Sequence, residues 1–111
     1  MAERVAPELL PGTLYLMILR SLRGGPLHGY GIARRIRQAS GDVLNIEDGS
    51  LYPALNRLSV KGWVTTKWGV SDRNRRARFY QLTVAGRKQM EQETQEFDRV
   101  LGAIRLVVRS V

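Results

Sequence analysis

Apolar positions recur at helical intervals through the first sixty residues. In TLYLMILRSLRGG (13–25), Leu14, Met17, Ile18, Leu19 and Leu22 predict a mostly buried helix. Thr13 is placed to cap its start, and Gly24-Gly25-Pro26 stops it. HGYGIARRIRQAS (28–40) predicts a second helix, with Tyr30, Ala33, Ile36 and Ala39 on one face and Arg34, Arg35, Arg37 and Gln38 elsewhere. Ser40-Gly41 marks its end, and DVLNI (42–46) reads as a connector with room for a short extended piece. A third helix is expected in DGSLYPALNRLSVKGWV (48–64). There Leu51, Leu55 and Leu58 lie at i, i+4 and i+7 and form a narrow core-facing stripe. Asp48 or Ser50 is its expected cap, and the glycine after Lys61 is its stop. Pro53 fits only near the first turn, where backbone N–H groups have no intrahelical partner.

The pattern then changes period. WVTTKW (63–68) and ARFYQLT (77–83) alternate or run apolar as strands do, and GVSDRNRR (69–76) supplies turn residues between them. Thr83 starts a long helix, 84–110, in which Met90, Phe97, Leu101, Ile104, Val108 and Val111 are spaced 7, 4, 3, 4 and 3 apart. Thr94 stands at the vacant seam position. The expected architecture is mainly α: a winged helix-turn-helix of three helices and a two-stranded β wing over residues 1–83, then a C-terminal helix over 84–111.

A chain of 111 residues supports one domain with one modest core. Its opening, MAERVAPELLPG, carries acids and prolines where a signal peptide would carry a basic stretch and an apolar run, so none is expected. The absence of cysteine excludes disulfides and thiolate metal sites, and is in keeping with a cytoplasmic protein. Charge adds more. The net charge is +8, and residues 1–83 hold 13 Lys/Arg against 6 Asp/Glu, whereas 84–111 hold 5 against 4. Such a body calls for a polyanionic partner, nucleic acid or an acidic membrane surface. The membrane alternative is disfavoured because the basic loop has no adjoining apolar face to insert.

In order and spacing, LLPGTLYLMILRSL, GPLHGYGIARRI, GSLYPALNRLSVKGWV and RRARFYQLTVAGR resemble the PadR-like winged-helix transcriptional regulators. The resemblance spans roughly residues 9–100, and the short tail is similar to the compact subfamily with a single C-terminal helix. It implies a DNA-binding regulator, expected to be a repressor, acting as a homodimer on an inverted-repeat operator in double-stranded DNA. The third helix of a helix-turn-helix enters the major groove, its N-terminal residues nearest the base edges. Its dipole also favours a phosphate at that end. Ser50 and Tyr52 suit phosphate or base-edge hydrogen bonds, with Pro53 beside them. Asn56 suits adenine or a phosphate, and Arg57 guanine or the backbone. Lys61 at the helix end and Lys67, Arg73, Arg75, Arg76 and Arg78 of the wing complete the expected DNA-binding set, although strand alternation keeps some of them from reaching it together.

The resemblance also implies dimerisation through the tail helix and the N-terminal segment, which assigns Leu14, Met90, Phe97, Leu101, Ile104 and Val108 to the interface. In some relatives a cavity between protomers accepts flat, apolar effectors and has tryptophan in its wall. This tail has Phe97 and no tryptophan, a departure that argues against this ligand mode, and the resemblance specifies no effector beyond a small apolar one.

Other signals fail. GGPLHGYG imitates a phosphate loop but lacks the Lys-Ser/Thr pair, and GYGIAR lacks the third glycine of a dinucleotide fingerprint. His28 is the sole histidine, so no metal cluster or nucleophile–base pair forms around it. A cap or core hydrogen bond is its expected role. Neither catalysis nor a cofactor is expected. Trp63 and Trp68 are expected to pack the wing onto the body. The rival reading is a winged-helix protein–protein docking module, its basic patch meeting an acidic partner without DNA specificity.

Overall fold

The computed structural model describes residues 12–110. Its elements are α1 (Thr13–Ser21), β1 (Leu27–His28), α2 (Gly29–Ala39), α3 (Asp48–Val60), β2 (Val64–Val70), β3 (Arg76–Leu82) and α4 (Val84–Ser110). The first three helices meet over Ile18, Leu19, Leu22, Ile32, Ile36, Leu51, Leu55 and Leu58, all buried. Val64, Tyr80, Leu82 and Met90 close this core from the hairpin and the long helix. Leu51, Leu55 and Leu58 are 0% exposed, as their spacing requires.

The hairpin of β2 and β3 forms the expected two-stranded wing, and it is longer than the sequence indicated. β2 and β3 pair antiparallel from Val64↔Leu82 to Val70↔Arg76. A third strand, β1, pairs with the free edge of β3 through Leu27↔Tyr80 and His28↔Phe79, giving the order β1-β3-β2. Two residues have no periodicity to read, so only the tertiary fold reveals this strand. The connector 42–46 holds no strand.

The phase of α2 also differs. Gly29, Ile32 and Ile36 are its buried residues, while Tyr30 and Ala39 are exposed. Ile32 and Ile36 turn this helix toward the core, and Tyr30, about 200° around the axis from Ile32, faces out. His28 is the N-cap, and its Nδ1 accepts a hydrogen bond from the Gly31 N–H at 3.0 Å, in the capping role expected of it. The caps expected for the other short helices fall elsewhere, with Gly12 before α1 and Glu47 before α3, neither making a side-chain cap bond.

With α3 starting at Asp48, Pro53 sits in its second turn, later than expected. The carbonyl its missing N–H leaves over is that of Gly49, which is exposed and open to water.

Thr83 joins the tail to the body. Its hydroxyl donates to the Gly62 carbonyl at 2.7 Å and accepts from the Gly86 N–H at 2.9 Å, capping α4. Gly86 then passes so close to the hairpin that a Cβ there would lie 1.9 Å from the Trp63 carbonyl oxygen. Trp63 packs against the core as expected. Trp68 does not, being 54% exposed. It stands where the hairpin has already left the body.

Candidate nucleic-acid interface

Around the axis of α3, the exposed positions centre on Gly49, Pro53, Asn56 and Val60. Tyr52 flanks this strip on one side and Arg57 on the other. Ser50 is half-buried beside the first turn. Sequence periodicity does not single out Gly49 or Val60. Val60 is 81% exposed, an apolar side chain of the kind that packs on a thymine methyl.

Tyr52 crosses to α2. Its ring and hydroxyl lie where a side chain at Gly29 would stand, 2.6 Å from the built Cβ position to the hydroxyl oxygen. Partial burial, then the Asp48 carboxylate and Tyr80, raise its phenol above the ordinary tyrosine value. The group therefore stays protonated around neutrality, a hydrogen-bond donor as well as an acceptor. Arg57 leans the other way, and its Nη1 donates to the Tyr15 hydroxyl of α1 at 3.2 Å. Its other N–H groups stay exposed.

Two features depart from expectation at this helix. Glu47 and Asp48 are both exposed at the N-terminus of α3, so carboxylates already complement its dipole and a phosphate would approach against them. Lys61 lies past the far end, about 20 Å along the axis from Asp48. Its ammonium sits 5.0 Å from the Trp63 ring, at the hairpin base and away from the N-terminal cluster.

The wing divides its charges. Trp68, Arg76 and Arg78 share the hairpin face that continues inward to Tyr80 and the core, with Trp68 directly opposite Arg78. Lys67, opposite Phe79, points from the other face. The turn is closed by the Ser71 N–H to the Arg75 carbonyl at 2.8 Å, with Asn74 in the left-handed conformation at φ 59°. The Ser71 hydroxyl accepts from the Arg73 and Arg75 N–H groups, each at 3.3 Å. Arg73 reaches back over Tyr30, its guanidinium carbon 5.8 Å from the ring. Tyr30 thus belongs to this surface, although its spacing with Ala33 and Ile36 had placed it on the apolar face.

The tail carries a second surface. Leu14 is half-buried against the core, and Met90 is 1% exposed within the single chain. Met90 is therefore a core residue and presents nothing to a partner, which corrects its assignment to an interface. Beyond it, Leu16, Phe97, Val100, Leu101 and Ile104 line an open groove of about 390 Å³ between α1 and α4, with Glu93 and Glu96 among its walls. Glu96 is held in its charged form by the Arg99 guanidinium, which donates to it at 2.6 Å. Further on, Ile104 is 40% and Val108 70% exposed. Val111 lies outside the described residues. No helix among the described residues is long and apolar enough to cross a membrane.

The family model of the PadR-like transcriptional regulators matches residues 18–92, from α1 through the hairpin into α4. The chain belongs to this family. Among its relatives, an uncharacterized 37.1 kDa protein in transposon TN4556 from Streptomyces fradiae is 39% identical over 89 residues, 80% of this chain and 24% of that protein. The negative transcriptional regulator PadR of Bacillus subtilis is 27% identical over 73 residues, 66% of this chain and 40% of that one. The chain thus spans well under half the length of these two curated relatives. A transcriptional regulator from Clostridium thermocellum superposes with a TM-score of 0.80 at 26% identity, covering 91% of this chain and 95% of that one. The crystal structure of Bacillus subtilis PadR in complex with operator DNA superposes with a TM-score of 0.65 at 26% identity, over 74% of this chain and 47% of that one. The matched PadR-like region contains the helix-turn-helix and wing, and ends before the groove-lining Phe97, Leu101 and Ile104.

Proposed function

We propose that the chain binds double-stranded DNA sequence-specifically and regulates transcription, as a cytoplasmic homodimer repressing from an inverted-repeat operator. The observation that carries this reading is the pairing of two surfaces. The strip Gly49–Pro53–Asn56–Val60 is a narrow, uncharged helix face suited to a groove. Beside it stands a hairpin whose exposed arginines are, among the described residues, in no ion pair. The likeness to a protein whose structure holds operator DNA supports it. In this arrangement α3 reads bases and the wing holds phosphates. Tyr52, Asn56 and Arg57 are the base-edge candidates, and Arg75, Arg76 and Arg78 neutralise the backbone.

The homodimer rests on the tail. Phe97, Leu101, Ile104 and Val108 lie within a narrow arc of α4, and the groove that the first three line against α1 is a seat for the same helix of a second copy. Twofold pairing would present two copies of α3 to two half-sites.

Selection of binding sites from random-sequence duplexes tests the proposal. The expected product is an inverted repeat with half-sites about one helical turn, or a multiple of it, apart. Arg75→Ala with Arg76→Ala should then weaken all duplexes alike and flatten the salt dependence by about 0.9 in log–log slope for each phosphate no longer neutralised. Recovery of no preferred sequence, together with salt-resistant capture of an acidic protein, would favour the docking-module alternative.

A further inference from the structure

Trp68 is the exposed aromatic residue that the DNA-binding scheme leaves without a task. It is 54% exposed on the hairpin, beyond the reach of the core. Two guanidinium groups approach its indole: the Arg76 carbon lies 4.4 Å and the Arg78 carbon 5.1 Å from the ring. Strand register explains the grouping. Arg78 is the direct cross-strand partner of Trp68, and Arg76, paired with Val70, is its diagonal neighbour on the same face. The next pair inward on that face is Thr66↔Tyr80, and Tyr80 is buried in one core with Leu51, Leu55 and Leu58 of α3. The two arginines therefore extend from the hairpin face that borders the recognition helix.

We propose that Trp68 is a positioning residue, its indole holding the Arg76 and Arg78 guanidinium groups as a pair for the DNA backbone. The role rests on the DNA-binding reading above. An arginine is usually held in place by a carboxylate, which neutralises it and occupies its donors. Among the described residues neither Arg76 nor Arg78 has an ion-pair partner. The ring attracts each cation through its negative face and leaves the N–H groups at the guanidinium edge free for phosphate oxygens. It also offsets the repulsion between two neighbouring like charges. Arginine side chains are rich in rotamers, so ordering them before binding removes part of the entropy that association would otherwise cost. With the two guanidinium groups against it, the indole is engaged by the protein and does not stack on a base.

The test uses the full chain, a mixed-sequence DNA duplex and four variants. Trp68→Leu keeps an apolar side chain on the strand and removes the aromatic face. It should weaken binding on the order of fivefold to tenfold, as expected when two arginine side chains must be ordered on binding rather than before it. It should leave the slope of log K against log salt nearly unchanged, because both charges remain. Trp68→Tyr should recover most of the affinity. The double variant Arg76→Ala/Arg78→Ala should flatten the slope by about 0.9 for each phosphate it leaves without a cation, and adding Trp68→Leu to it should cost nothing more. Wild-type affinity in Trp68→Leu, or an undiminished effect of Trp68→Leu without the two arginines, would overturn the positioning role while leaving DNA binding intact. A wild-type chain that binds no duplex overturns the DNA reading itself, and this role with it.

Discussion

Two glycines of α4 should respond to the same substitution with opposite signs. Alanine is favoured over glycine in a helix interior by about 1 kcal/mol. At Gly102, where nothing lies within 4 Å of a built Cβ, that gain should appear in full. At Gly86 the built Cβ stands 1.9 Å from the Trp63 carbonyl oxygen and 2.8 Å from its carbon. Ordinary carbon–oxygen contact begins near about 3.3 Å, so α4 or the hairpin base must move by more than an ångström. Neither can move freely. The Trp63 carbonyl accepts the Thr83 N–H at 3.1 Å, and Met90, one turn along from Gly86, is in the core. Overpacking of this kind costs about 1–3 kcal/mol, and breaking the Thr83 bond adds about 1 kcal/mol. After the helical gain, Gly86→Ala should destabilise by about 2 kcal/mol. At about 4 °C per kcal/mol for a chain of this size, its Tm should fall by about 8 °C, whereas that of Gly102→Ala should rise by about 4 °C. Thermal unfolding by circular dichroism measures both, at one protein concentration because dimerisation would make Tm concentration-dependent. If Gly86→Ala proves as stabilising as Gly102→Ala, α4 is not seated on Trp63 and the described register of tail on body is wrong.

Asn56→Ala removes the polar side chain at the centre of the exposed strip of α3, and should relax base preference at one position per half-site by about 1–3 kcal/mol if it makes a bidentate contact. Repeating the site selection with the variant checks this, and a uniform drop in affinity with unchanged preference would make Asn56 a phosphate ligand. Leu101→Glu places a carboxylate in the apolar groove beside Glu93 and Glu96, twice over in a twofold dimer, and should yield a folded monomer that binds single half-sites weakly. Sedimentation decides it: a dimer of unaltered operator affinity would mean that this seam is not the interface.

For α3 and the hairpin, the sequence alone was enough. Leu51, Leu55 and Leu58 announce α3 because a helix burying one stripe must repeat apolar residues at its own period, and they are the residues found in the core. The turn chemistry of 71–75 and the alternation on either side announce the hairpin for the same reason. The motifs quoted from 9–100 announce the family, and the match over 18–92 bears them out. What stayed hidden depended on contacts between distant segments. Strand β1 exists because β3 offers it an unpaired edge, a property of neither sequence by itself. The buried face of α2 centres on Ile32 and Ile36 because these are the side chains that the other helices enclose, and Tyr30 is left at the surface. Met90 and Phe97 belong to one apolar seam in sequence, yet the body of the domain covers the first and only partly covers the second. Periodicity states which side of a helix is apolar. Where along that side the protein's own core ends, and a surface for another molecule begins, is decided by how far the rest of the fold reaches.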